Sequence, residues 1–196
     1  PAFLIDAVDL HFDLQESHTT VRATMTVRRN GEHALPLVLD GERLELVSVK
    51  VDGTDHAAHA VTEAHLTLED VPEQFELQTV VRIKPHENTE LSGLYRSGDT
   101  YCTQCEAEGF RRITYFLDRP DVMAVFTVTI NGPHPVLLSN GNPVSSGKDT
   151  AEWHDPWPKP AYLFALVAGD LVAHPGSFTT KSGRKVDLNL YVRPGD

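Results

Sequence analysis

Apolar residues recur at every second position through most of this chain, a period that admits strands and disfavours helices as the main element. Val8, Leu10, Phe12 and Leu14 alternate with Asp9, His11 and Asp13, and Val21, Ala23, Met25 and Val27 alternate with Arg22, Thr24, Thr26 and Arg28. Asn30-Gly31 then supplies the residues a tight turn with positive φ prefers. The two runs therefore read as an antiparallel pair. The pattern returns in Val47, Val49 and Val51 before Asp52-Gly53, in Phe75 to Ile83, in Phe126, Val128 and Ile130 before Asn131-Gly132-Pro133, and in Val186 to Val192.

Shorter strands are expected over residues 35–39, 65–68, 101–105, 136–139, 150–154 and 162–168, the last so continuously apolar that it reads as buried on both faces. Helical turns fit only residues 108–116 and 121–124, the latter behind Pro120. Pro156-Trp157-Pro158-Lys159-Pro160 reads as an ordered connector between strands. The expectation is a single all-β domain over residues 1–196, with about a dozen mainly antiparallel strands in a β-sandwich or distorted barrel.

Charge narrows the function. A net charge of −11, with 17 scattered Lys and Arg, argues against nucleic acid and anionic membrane surfaces as partners. No apolar run approaches the roughly 20 residues that span a bilayer, and the segment beginning Pro1-Ala2-Phe3 lacks the pattern of a signal peptide. A cytoplasmic chain, processed or cut from something longer, is the expectation.

No Gly-x-Ser-x-Gly elbow, phosphate-cradling glycine loop or helical histidine pair is present. Cys102 and Cys105 form a single CxxC without the further ligands that a structural zinc needs, so reduced thiols are expected. His56, His59 and His65 form the tightest histidine group but lack a companion carboxylate at a convincing spacing. The chain thus shows no catalytic residues and no metal ligands of its own.

The stretch from Thr103 to Arg112 differs in kind, concentrating an amide, acids and arginines. On a strand that ends near Cys105, Gln104 and Glu106 would share a face, offering a hydrogen-bonding amide and a carboxylate for a cation. On spacing alone such a charge cluster reads first as a local ion network, with Glu106 and Glu108 paired to Arg111, Arg112 or Arg119.

Thr103-Gln104-Cys105-Glu106-Ala107-Glu108-Gly109-Phe110-Arg111, with Phe116-Leu117-Asp118-Arg119-Pro120-Asp121-Val122, resembles the N-terminal domain of bacterial aminopeptidase N, in the M1 family of zinc aminopeptidases. Leu91-Ser92-Gly93-Leu94-Tyr95, residues 137–142 and residues 159–170 are similar to that family in the same order. The likeness is weaker over the first 90 residues.

The resemblance implies removal of single residues from peptide amino termini, with zinc bound by a separate catalytic domain beyond Asp196; the family's Gly-Ala-Met-Glu-Asn and His-Glu-x-x-His motifs do not occur here. It further implies that Glu106 helps bind the substrate's α-amine and that Gln104 lines the first side-chain pocket. Arg111, Arg112, Asp118 and Arg119 match the family pattern and read as supports for that loop. The implied partners are peptide substrates with a free amino terminus and the enzyme's own catalytic domain, without which this domain would be inert. An autonomous β-sandwich interaction module is the alternative that shares the fold without the enzyme.

Overall fold

The computed structural model describes residues 1–195; Asp196, the end of the expected domain, lies outside the described residues. In chain order the strands are β1 (Phe3–Leu14), β2 (Thr19–Arg29), β3 (Leu37–Asp40), β4 (Glu45–Val51), β5 (Thr54–Asp55), β6 (His59–Val61), β7 (His65–Leu68), β8 (Gln74–Ile83), β9 (Gly93–Ser97), β10 (Thr100–Gln104), β11 (Met123–Asn131), β12 (Val136–Ser139), β13 (Asn142–Gly147), β14 (Thr150–Pro160), β15 (Leu166–Gly169), β16 (Val172–Thr179) and β17 (Lys185–Val192). Three short 3-10 turns are the only helical elements among the described residues, and no helix is long and apolar enough to cross a membrane.

Eight strands form one sheet in the order β13-β14-β11-β1-β2-β8-β4-β5. Its inner face carries the alternating residues, among them Leu10, Phe12, Val21, Met25, Leu77, Val81, Phe126 and Val128, all essentially excluded from water. Smaller sheets, β12-β15-β10-β9 and β3-β7-β6, contribute Leu94, Tyr101, Leu166, Leu37, Leu39, Leu66 and Leu68 to the same continuous core. The all-β expectation holds, with a sandwich of mixed sheets: β1 and β2 pair antiparallel, whereas β1 and β11 run parallel.

Two irregularities reconcile the alternation with burial. The β1–β2 register shifts between Ile5 and Ala7, so Ile5 and Val8, three residues apart, both face inward. Asp52 and Gly53 both have positive φ, 49° and 76°, which suits the two-residue link between β4 and β5.

Three local expectations need correction. Residues 156–158 are no connector but an excursion within β14: Phe126 pairs with Asp155 and Ala124 with Lys159, leaving Pro156, Trp157 and Pro158 outside the ladder. Prolines fit there because no ladder donor is required. Residues 162–168 are not one buried strand. Ala161–Leu163 form a 3-10 turn, Leu163 is exposed, and β15 begins only at Leu166. The Asn140 side chain donates to the Leu163 carbonyl at 3.1 Å and accepts from the Ala165 amide at 2.7 Å, capturing backbone groups that a strand would need. Residues 121–124 are not helical either; Val122 closes one turn onto the Arg119 carbonyl, and β11 starts at Met123.

Four phenylalanines lock the layers together. Phe126 of the large sheet lies 6.0 Å from Phe110, 6.3 Å from Phe116 and 6.1 Å from Phe164, measured between ring centroids. The Lys159 ammonium sits 3.8 Å from the Phe126 centroid. Truncation of such a ring costs the transfer energy of its atoms and leaves a cavity. Phe126→Ala should therefore lower the unfolding free energy by about 3–5 kcal/mol in urea titrations, and a loss below about 1 kcal/mol would show that the cluster is not close-packed.

Candidate functional site

β10 lies between β9 and β15, with Tyr101 and Cys102 opposite Ala168 and Val167. It ends at Gln104, and the chain turns at once: Cys105 is buried, Gln104 and Glu106 are exposed on either side of it, and the Gly109 amide donates to the Cys105 carbonyl at 2.8 Å. The Glu106-Ala107 peptide bond is cis. Gln104 Nε2 donates to the Glu106 carbonyl oxygen at 3.2 Å, so the amide and the backbone carrying the carboxylate are joined directly.

The turn is held by close approach. A Cβ on Gly109 would lie 2.5 Å from the Gln104 carbonyl oxygen and 3.0 Å from Cys105 Cα, backbone atoms that cannot yield. Gly93, opposite Gln104 in the β9–β10 ladder, has φ +78°, and a Cβ there would lie 2.8 Å from Arg112 Cβ. Glycine is required at both positions.

The charged residues divide into separate sets. Arg111 donates to Asp118 Oδ2 from its backbone amide and from Nε, both at 3.1 Å, and to the Asp118 carbonyl from Nη2. The Asp118 amide in turn donates to Asp40 Oδ2 at 3.1 Å. Burial pushes the Asp118 carboxyl up from its ordinary value against the hydrogen bonds from Arg111. Burial opposes the charge on Arg111 as well, but the Asp118 contact and the carboxylates of Asp40, Asp118 and Glu108 raise it overall.

Arg112 donates to Glu42 Oε2 at 3.0 Å and also binds Glu90, which Arg43 shares. Arg119 pairs with Asp121 at 2.8 Å, both side chains half exposed. Glu108 lies 3.4 Å from Arg111. Glu106 therefore stands apart from the ion network that spacing allowed, since among the described residues no cation pairs with its carboxylate.

Asp40, Glu42, Arg43 and Glu90 were not singled out from sequence. They lie 22 to 78 positions from the groups they hold, and Asp40-Gly41-Glu42-Arg43 reads as an ordinary polar turn. Two grooves, of about 680 and 570 Å³, open beside Arg112 and not at Gln104 and Glu106. Their cations are already engaged, Arg82 with Glu45 at 3.0 Å and Lys84 with Glu87 at 3.1 Å. Gln104 and Glu106 are on open surface.

The cysteines and histidines are committed otherwise. Cys102 and Cys105 are free thiols, and burial followed by the Asp118 charge pushes Cys105 up to about 12, which suppresses its thiolate at neutral pH. His56 bonds the Glu69 carbonyl, His59 the His56 carbonyl, and His65 lies 3.8 Å from Asp40. Among the described residues no three His, Cys, Asp or Glu side chains gather as a metal ion would require.

The family model of the Peptidase M1 N-terminal domain matches residues 5–163. The chain belongs to that family. This M1 N-terminal domain is 52% identical to aminopeptidase N of Caulobacter vibrioides over 98% of its length and 48% identical to that of Escherichia coli over 100%, but it spans only 23% of each of those relatives. Among solved structures, Legionella pneumophila aminopeptidase A in complex with aspartic acid superimposes on 98% of the domain with TM-score 0.90 and 34% identity, the match covering 24% of that chain. A Deinococcus radiodurans M1 zinc metallopeptidase mutant bound to a Tyr-Ser-Ala substrate shares the fold, with TM-score 0.82 at 18% identity, over 99% of the domain and 48% of that chain.

Breaking a buried pair on one side leaves the other charge uncompensated. Asp118→Ala should cost about 3 kcal/mol, seen as a melting temperature roughly 6–12 °C lower. Adding Arg111→Met should recover part of that loss, and additive losses in the double variant would show that the two groups are not coupled.

Proposed function

We propose that this domain positions substrate in an M1 zinc aminopeptidase, with Glu106 receiving the protonated α-amine of a peptide and Gln104 bordering the pocket for its first side chain. The observation that carries the reading is the isolation of the Glu106 carboxylate. Every other charged side chain from Glu108 to Asp121 is paired within the domain, while Glu106 sits exposed on a turn fixed by Gly109 and by the Gln104 amide. The 52% and 48% identities to enzymes named aminopeptidase N, and the Tyr-Ser-Ala substrate of the Deinococcus relative, favour a peptide amino terminus as the cation.

The chemistry fits that assignment. A peptide amino terminus has a pKa of about 7.7–8.0 and is largely protonated at neutral pH. A carboxylate about 4 Å away attracts it by up to roughly 4 kcal/mol at an effective dielectric of about 20, less the desolvation of both groups. Such a contact sets register. It admits substrates by their free amine, turns away acylated or internal segments, and holds the first peptide bond at a fixed distance from the reacting centre.

Zinc supplies the activated water in enzymes of this class. The described residues offer no ligand set for it, so the reading assigns the metal to the polypeptide beyond residue 196 and leaves this domain inert by itself. The role of Gln104, Glu106 and their supports is binding and orientation, and no proton transfer is assigned to them.

In the full-length enzyme, Glu106→Gln should reduce kcat/KM for aminoacyl anilides by about 2 kcal/mol, roughly 30-fold. Unchanged kinetics would remove Glu106 from the amine site. The 196-residue chain should hydrolyse none of these substrates, and chelator-sensitive activity in the purified domain would overturn the assignment of zinc to another part of the enzyme.

A further inference from the structure

β16 and β17 pair with each other and with no other described strand. The turn between them is well formed, with the Thr180 amide on the Arg184 carbonyl and the Gly183 amide on the Thr180 carbonyl, both at 2.9 Å. Directly opposed residues of an antiparallel pair share a face. One face of this ribbon therefore carries Val172, Gly176 and Phe178 with Val192, Leu188 and Val186, together with the His174–Leu190 pair. The other carries Ser177, Thr179, Asp187, Lys185 and Asn189 beside Ala173, Pro175 and Tyr191.

The apolar face is uncovered. Phe178 is 58% exposed, Leu188 49% and Leu190 71%, and the last member of the domain's buried core is Ala168. A two-stranded ribbon in water is marginal without a third strand or a packed layer over its apolar face, and contiguous exposed apolar surface of this kind marks a contact. The family model of the N-terminal domain ends at residue 163, before the hairpin begins. The aminopeptidase N relatives are about four times as long as this chain, which matches an N-terminal domain.

We infer that the β16–β17 hairpin belongs structurally to the next domain, and that the polypeptide following residue 196 covers its apolar face. The boundary of the M1 N-terminal domain then falls near Gly169–Leu171, between the end of β15 and the start of β16. The hairpin reaches across from one fold into the other, so the position of Glu106 relative to the following domain depends on how the ribbon seats. This inference rests on the proposal above that the polypeptide continues into a catalytic domain.

The test compares the same substitutions in two lengths of chain. Leu190→Asp and Phe178→Asp, made separately, should leave the melting temperature of the 196-residue chain within about 1 °C, because both side chains already face water. In the full-length enzyme each should lower it by about 5 °C or more and abolish the hydrogen-exchange protection of amides 186–192, while Asn189→Asp on the polar face leaves both unchanged. Unaltered melting and unprotected hairpin amides in the full-length enzyme would overturn the inference and leave the Glu106 reading intact, since that is tested by kinetics. Self-association of the full-length enzyme that Leu190→Asp abolishes, with the monomer's melting unchanged, would assign the face to a second copy and also overturn it. A reading frame that ends at residue 196 would overturn both proposals together.

Discussion

Phe110, Phe116, Phe126 and Phe164 meet where the large sheet, the loop after β10 and the connection before β15 converge, and most of the architecture depends on that meeting. Phe126 comes from a strand whose register is set by two neighbours, parallel to β1 and antiparallel to β14. Phe110 and Phe116 come from the site loop, and Phe164 from the turn held by Asn140. Phe110 meets the other three rings edge-on, Phe116 and Phe126 are tilted, and Phe126 and Phe164 stack, arrangements that suit the aromatic quadrupoles. The exposed groups between β10 and Phe110 are thus held on one side by the sheet and buried Cys105 and on the other by the buried ring of Phe110, which limits how far that turn can swing.

Electrostatics finishes what packing begins. Arg111 and Asp118 tie the two ends of the loop to each other, Asp40 ties Asp118 to β3, and Arg112 ties the loop to Glu42 and Glu90. A buried ion pair contributes little net stability compared with apolar groups of similar shape, but it penalises any rearrangement that separates its members. These contacts therefore act on geometry more than on stability. Gly109 works in the same direction, because its hydrogen in place of a side chain lets the Gln104 carbonyl approach closely.

The legibility of this chain in its sequence follows the range of the interactions. Strands with one wet face announce themselves by alternation, and β1, β2, β8 and β11 fall where Val8–Leu14, Val21–Val27, Phe75–Ile83 and Phe126–Ile130 place them. Sheet order does not announce itself: nothing local says that Phe126 lies beside Val8, 118 positions away and parallel. The apolar run 162–168 misleads because period cannot separate a buried strand from a folded-over segment, and the deciding groups belong to Asn140. Within the site, Arg111, Arg112 and Asp118 stand out as a cluster, but spacing alone left Glu106 as eligible for an ion pair as Glu108. The difference arises from the turn at Cys105, which buries one side chain and sends Glu106 outward.

The domain thus presents two surfaces that are incomplete in opposite ways. Glu106 is a charge left unpaired by a loop whose other charges are satisfied, and its position is fixed by backbone contacts that do not involve the carboxylate. The backbone that carries Glu106 is therefore ordered by the domain itself, while its exposed side chain keeps its rotamer freedom. The hairpin is ordered by its own ladder and turn, but among the described residues its apolar face has no layer to pack on, the condition in which a two-stranded ribbon is marginal by itself. On the two proposals above, an exposed carboxylate on a fixed turn and an apolar ribbon without a covering layer would divide the work between recognition and docking: the first would set what is held, and the second where the holder stands relative to the chemistry.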